Sequence, residues 1–248
     1  MSESRPVSSV PLPLAGRTAL ITGASRGIGA ATARALAAAG ARLALVARGA
    51  DLLHALDREL GAGHLVVPAD CTKAKDVERL AAEVTTWAGG PPDILINNAG
   101  IYPRGSLHEQ NADEFAATLD VNLAAPFRVL RAFLPAMRTR GSGHVVSIGT
   151  VADRNIWPMN GAYSASKYGL RALHEVLYAE SRGSGVQATL IAPGAVDTDI
   201  WRSHEAELGK TLSPRHRMLK PDDVARAVLY AVTQPPHMTV HELRLSPS

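Results

Sequence analysis

Tyr163 and Lys167 stand four residues apart within residues 162–182, a segment whose apolar residues recur at helical spacing. At 3.6 residues per turn such positions differ by about 40° in azimuth, so the ammonium can reach the phenol. A free tyrosine titrates near pKa 10 and is a poor base at neutral pH, whereas a neighbouring cation favours the phenolate. The pair suits general acid–base chemistry at an oxygen atom, with Lys167 activating Tyr163. A second candidate is Thr22-Gly23-Ala24-Ser25-Arg26-Gly27-Ile28-Gly29, which joins a short apolar run to an alanine-rich one. Glycines in a strand-to-helix turn let backbone amides approach an anion such as a pyrophosphate. The same stretch matches a nucleophile elbow, Gly23-Ala24-Ser25-Arg26-Gly27, for which Asp197 and His237 would complete a serine hydrolase. An elbow on the first strand leaves no upstream strand and loop to supply a second oxyanion amide, which weighs against that reading.

Apolar runs at 18–22, 42–46, 64–67, 93–96, 144–148, 187–191 and 238–245 read as strands. Segments with helical spacing lie between them at 29–39, 73–87, 113–138, 162–182 and 221–233. This alternation predicts a doubly wound, Rossmann-type α/β fold with a parallel sheet of about seven strands and helices on both faces. Without a dividing linker, residues 15–248 form a single domain, and 195–220 is an irregular segment suited to a substrate loop. Residues 1–14, rich in Ser and Pro without an apolar h-region, read as a loose leader.

Further motifs follow in order: Asn97-Asn98-Ala99-Gly100 after the fourth strand, Asn122 in a helix, Tyr163-Ser164-Ala165-Ser166-Lys167, and Pro193-Gly194 after the sixth strand. Together with the glycine loop they resemble the classical short-chain dehydrogenase/reductase family across nearly the whole chain. The resemblance implies hydride transfer between a nicotinamide dinucleotide and a carbonyl or secondary alcohol. It casts Tyr163 as acid/base, Lys167 as a ribose ligand, and Asn122 as the residue that positions a water in a proton relay. Cofactor contacts would come from Gly23, Ser25, Arg26, Gly27, Ile28, Gly29, Asn98, Ala99, Gly100, Pro193, Gly194, Val196 and Thr198, with Asp70 at the adenine and Cys71 beside it. Asp70 equally suits a helix N-cap, and Asn97 suits a structural role.

The family places a serine thirteen residues before the tyrosine, where this chain has Thr150. Ser147 lies three residues earlier on the predicted strand, and an odd offset on a period-2 element turns it to the other face. Thr150 is therefore the candidate hydroxyl. The departure also motivates an alternative, a catalytically weak dinucleotide-binding regulatory protein of the same fold. At the end of the second strand an acidic residue would accept hydrogen bonds from the NAD ribose. Here Ala47 is followed by Arg48, and Arg26 lies in the glycine loop, so two guanidiniums can bracket a 2′-phosphate and NADP(H) is preferred over NAD(H). Tyr102, Ile156, Trp157, Met159 and Trp201 are the candidate substrate contacts, within segments that resemble the family's pocket walls.

Composition narrows the remaining classes. A formal charge of +3 from 26 basic and 23 acidic residues, scattered without a run, gives no nucleic-acid footprint. The basic excess within 201–220 raises an anionic substrate beside the plainer reading of a solvated loop. No apolar stretch is long enough to span a membrane. The single Cys71 excludes an intrachain disulfide and a thiolate metal site, and fits a cytoplasmic protein. His237 and His241 would stand about 13 Å apart on a strand, so no metal is expected. The small and apolar residues of 113–138 and 162–182, together with the family's habit of pairing these helices, lead us to expect a homo-oligomer, a tetramer ahead of a dimer.

Overall fold

The computed structural model describes residues 12–248. The first half comprises β1 (Thr18–Thr22), α1 (Gly27–Ala38), β2 (Arg42–Ala47), α2 (Ala50–Glu59), β3 (Leu65–Pro68), α3 (Ala74–Ala88) and β4 (Ile94–Asn97). The second comprises α4 (Ala112–Leu119), α5 (Ala125–Arg140), β5 (Gly143–Ile148), α6 (Gly161–Ser181), β6 (Val186–Pro193), α7 (Pro221–Val232) and β7 (Glu242–Leu245). All seven strands are parallel, in the order β3-β2-β1-β4-β5-β6-β7. Chain direction across the sheet reverses between β1 and β4, and the loops beyond their C-terminal ends diverge there, opening the crevice that such a switch point provides.

Every residue of β1 and β4 is buried, as expected of central strands covered on both faces. Alternate side chains feed two cores. Ala19 and Ile21 pack with Leu36, Leu53, Val224 and Val228 on the side of α1, α2 and α7. Leu20 packs with Leu80, Val129, Phe133 and Leu177 on the side of α3, α5 and α6. This is the single Rossmann-type domain that the alternation implies. Among the described residues no helix is long and apolar enough to cross a membrane.

The helix α2 has no counterpart in the sequence reading, and among the boundaries that differ three matter most. Residues 1–11 of the expected leader lie outside the described residues, but Leu14 is fully buried in the first core and its amide bonds to Ala39 O at 2.9 Å. The ordered fold thus begins before residue 15. The segment expected as one helix over 113–138 is broken by a π-helical turn, Asp120–Ala124. Pro126 has no N–H to continue the α-ladder, and the Asn122 side chain bonds outside the helix. The last strand is shorter than 238–245, because residues before it are held to β6 by side chains: Gln187 Nε2 to Met238 O and Thr189 Oγ1 to Val240 O.

Candidate active site

A cavity of about 1280 Å3 lies over the C-terminal edge of the sheet at the switch point. Its base is the turn between β1 and α1, where Gly23 (φ +68°) and Gly27 (φ +55°) take the left-handed conformation that glycine tolerates. A Cβ on Gly23 would stand 2.9 Å from Ala99 Cα, and one on Gly29 would stand 2.2 Å from Gly23 O. Asn98 fastens the loop, its Nδ2 donating to Thr22 O at 2.9 Å and to Gly23 O at 3.2 Å. Ser25, Arg26, Gly27 and Ile28 line the cavity; Gly29 does not, and its role is to let α1 approach the loop. The loop backbone is therefore a bare, clamped cradle that a diphosphate fits.

One end of the cavity is lined by Ala47, Arg48, Asp70 and Cys71. Asp70 does not cap α3, whose N-cap is Lys73; its carboxylate instead accepts from Thr72 N (3.0 Å) and Thr72 Oγ1 (2.7 Å). Burial would raise the Asp70 pKa, but the Thr72 bonds and the charges of Arg48 and Lys73 outweigh it and hold the group low. Burial pushes the Cys71 thiol up to about 11, helped by Asp70 and Asp76, so it is not a nucleophile.

At the other end β5 and α6 bring Thr150, Tyr163 and Lys167 onto the cavity wall. The Thr150 hydroxyl accepts from Ala152 N at 3.2 Å, which leaves its proton to donate. Burial pushes Tyr163 up to about 12; a hydrogen bond with Thr150 opposes this, and the negative charge of Asp153 reinforces it. Lys167 is almost fully buried and burial pulls it down to about 8, with Asp153 acting in the opposite sense. Its Nζ donates to Ile148 O at 3.0 Å and lies 5.9 Å from the centre of the Tyr163 ring. The expected lowering of the phenol by the ammonium is thus absent from this geometry, because the ammonium is turned to a carbonyl. Ser147 lies away from the cavity, buried with its Oγ 3.2 Å from His174 Nδ1.

Asn122 is fully buried in the π turn. Its Oδ1 accepts from Ile101 N (2.8 Å), and its Nδ2 donates to Ile101 O (2.9 Å) and Ser166 Oγ (3.0 Å). The side chain therefore ties α4–α5 to the β4 loop and α6, and both of its N–H donors are spent within the protein. Asn97 donates to Pro126 O beneath the strand ends. Ala99, Gly100, Pro193, Gly194, Val196 and Thr198 line the cavity between its two ends.

The wall beyond Tyr163 is aromatic. Tyr102 packs edge-on against Tyr163 (ring centres 4.7 Å apart) and Trp201 (5.1 Å), and its hydroxyl donates to Asn160 Oδ1 at 2.9 Å. Trp157 and Met159 also line this end. Ile156 does not: it is 78% exposed on the outer side of its loop and is no pocket residue. Several cations of the 195–220 loop and its neighbours are internally paired, Arg215 with Asp197 and Glu205, and Arg104 with Glu207. Arg202, Lys210, Arg217 and Lys220 do not line the cavity, so the basic excess is not part of its wall. Ser25 lies beyond the C-terminal end of β1, whereas His237 precedes the N-terminal end of β7 and is therefore at the opposite edge of a parallel sheet. No hydrolase triad can form. Among the described residues no metal-binding cluster occurs.

The sequence matches the short chain dehydrogenase family profile over residues 17–209. The chain belongs to the short-chain dehydrogenase/reductase family. This SDR is 39% identical, over 98% of its length, to the glycine betaine reductase ATRR of Emericella nidulans, of which it spans only a fifth. It resembles the structure of a metagenomic short-chain oxidoreductase in complex with NADP (TM-score 0.80, 35% identity, 95% of this chain and 99% of that one). It equally resembles an alcohol dehydrogenase from the archaeon Thermococcus sibiricus complexed with 5-hydroxy-NADP (TM-score 0.80, 35% identity, 92% and 95%).

Some lining residues of this SDR carry no motif: Asn160, Arg104, and Ser246 with Pro247. The last two were findable from topology, since a seventh parallel strand must deliver whatever follows it to the same edge. Gly194 N bonds to Leu245 O at 2.7 Å, which seats that terminus against the cavity.

Proposed function

We propose that this SDR is an NADP(H)-dependent oxidoreductase interconverting a carbonyl and a secondary alcohol, with Tyr163 as general acid/base. The observation that carries this reading is the convergence of Tyr163, the Thr150 hydroxyl and Lys167 on one wall of the cavity whose base is the glycine cradle. The dinucleotide, when bound, supplies or accepts the hydride. Residues 23–28 would hold its diphosphate, Asp70 its adenine, Lys167 its ribose, and the 193–198 segment its nicotinamide. Arg26 and Arg48 line the cavity where Ala47 offers no carboxylate to a ribose hydroxyl, which suits a 2′-phosphate. The NADP complexes among similar structures support the same preference.

With its pKa near 12, Tyr163 keeps its proton at neutral pH and can pass it to the oxygen of a carbonyl under reduction. Thr150 donates to that oxygen and polarises it. Replenishing the Tyr163 proton requires a path to solvent. Both side-chain donors of Asn122 are spent within the protein and its Oδ1 is held by Ile101 N, so we assign the water of this relay to its main-chain carbonyl, to which Pro126, lacking an N–H, cannot donate.

The substrate end is aromatic, its lining Arg104 is paired with Glu207, and Lys167 is turned to Ile148 O, which favours an uncharged or cationic carbonyl compound over an anion. Aromatic faces attract quaternary ammonium groups, and the name of the Emericella relative points to a betaine. The test is an NADPH oxidation screen over ketones, aldehydes, 3-oxoacyl thioesters and a trimethylammonium aldehyde. Turnover that Tyr163→Phe abolishes is expected. Tight NADPH binding with no turnover of any carbonyl would establish the regulatory alternative instead.

A further inference from the structure

Behind the wall that carries Thr150 and Lys167 lies a cluster of opposite charges that no part of the proposed reaction uses. Asp153 ends a single 3-10 turn, Val151–Asp153, that Thr150 caps, and its side chain is fully buried. One carboxylate oxygen lies 2.9 Å from Arg171 and the other 3.5 Å from Arg244. Arg171 sits one turn beyond Lys167 on α6 and also grips Glu242 of β7 at 2.6 Å. Glu242 in turn holds Arg154 at 2.8 Å and Arg244 at 3.2 Å. Desolvating such a cluster costs about as much as its attractions return, so net stability is a poor reason for it.

The titratable and charged groups around the acid–base pair come from four directions. Tyr102 stands against Tyr163 from the β4 loop, with Arg104 two residues on and paired to Glu207 of the 195–220 loop. Asp153 faces the pair from the turn after β5, Arg171 from α6, and Glu242 with Arg244 from β7 behind Arg171. Asp153 is the acid whose charge reaches both Tyr163 and Lys167.

Resting on the functional reading above, we propose that Asp153 is a positioning residue for the acid–base pair. Clamped by Arg171, it locks the turn bearing Thr150 to the helix bearing Tyr163 and Lys167, and it sets a fixed negative charge behind them. That charge raises both groups and so favours the protonated pair, the form from which a reductase donates. Arg171 and Arg244 moderate it.

The test is the pH profile of kcat/KM for carbonyl reduction with NADPH. In Asp153→Asn the alkaline limb moves to lower pH by about half a unit or more. In Arg244→Leu, at the solvent-facing margin of the cluster, the less compensated carboxylate moves it to higher pH. Opposite displacements support the proposal. A lower kcat with an unmoved limb in both variants would reduce Asp153 to a structural part and overturn it. Should Asp153→Asn fail to fold, Arg244→Leu decides alone. A readout independent of turnover is the pH range over which Lys167 makes the protein's stability rise, whose lower edge also moves to lower pH in Asp153→Asn. If the wild type reduced no carbonyl, the functional reading would fail by that result, and this stability range would still decide for or against Asp153.

Discussion

Replacing Lys167 by Met separates the cost of burying its charge from its part in catalysis. Burial lowers Lys167 from 10.5 to about 8. The folded protein thus holds this proton less tightly than the unfolded chain, unfolding takes one up between about pH 8 and 10.5, and stability rises across that window. At 1.36 kcal/mol per pH unit the full penalty, present at neutral pH, is about 3 kcal/mol. Integrated from pH 7 to 9.5, the relief amounts to about 2 kcal/mol. Tyr163, raised to about 12, works in the opposite sense, but its stabilisation is lost only as pH rises from about 10 through 12 and changes the balance by roughly 0.2 kcal/mol below pH 9.5. Methionine keeps the unbranched apolar stem, and the lost bond to Ile148 O costs an amount that does not vary with pH. Urea unfolding of the ligand-free protein at pH 7 and 9.5 should therefore show the wild type gaining about 2 kcal/mol relative to Lys167→Met, roughly 4–8 °C in Tm. Parallel pH dependences, agreeing within about 0.5 kcal/mol, would mean that Lys167 is not a buried cation.

Calorimetry should find NADPH bound more tightly than NADH, with Arg48→Ala removing most of the difference; equal affinities in the wild type would sink the argument from Arg26 and Arg48. Thr150→Ser should keep or raise turnover, while Thr150→Val, similar in shape without the hydroxyl, should lower kcat by roughly 10². A dead Ser147→Ala beside an active Thr150→Val would show the hydroxyl to be misassigned. Phe127 on α5 and Tyr168 and Val176 on α6 are exposed apolar side chains, so light scattering at micromolar concentration should report a homo-oligomer, a tetramer ahead of a dimer. A monomeric mass would show that these faces are simply solvated.

The strands were legible because buried parallel strands are short apolar runs, and β1 and β4 carry no polar face to confuse the period. The break in the helix expected over 113–138 went unread despite Pro126, because the apolar spacing continues on either side of the π turn. Within the site, four-residue spacing correctly puts Tyr163 and Lys167 on one face of α6, yet spacing cannot tell where a long flexible side chain ends. The Ile148 carbonyl that captures Nζ belongs to a different element, β5. Ile156 illustrates the same limit, since its neighbour Trp157 enters the cavity and it does not. The Asp153–Arg171–Glu242 cluster joins three elements and has no local pattern at all.

The place of β1 in the sheet also bears on how the chain folds. Its pairing with β2 closes a loop of 24 residues, whereas its pairing with β4 closes one of 75. The longer closure carries the greater entropic cost and contributes non-local contacts of the kind that slow folding. The crevice lies along that seam, where Asn98 after β4 stitches the glycine loop after β1. A ligand seated there bridges the loops after β1 and β4, so it favours chains in which that pairing is made and stabilises them by mass action. The crevice is in this sense the molecule's own checkpoint for having folded.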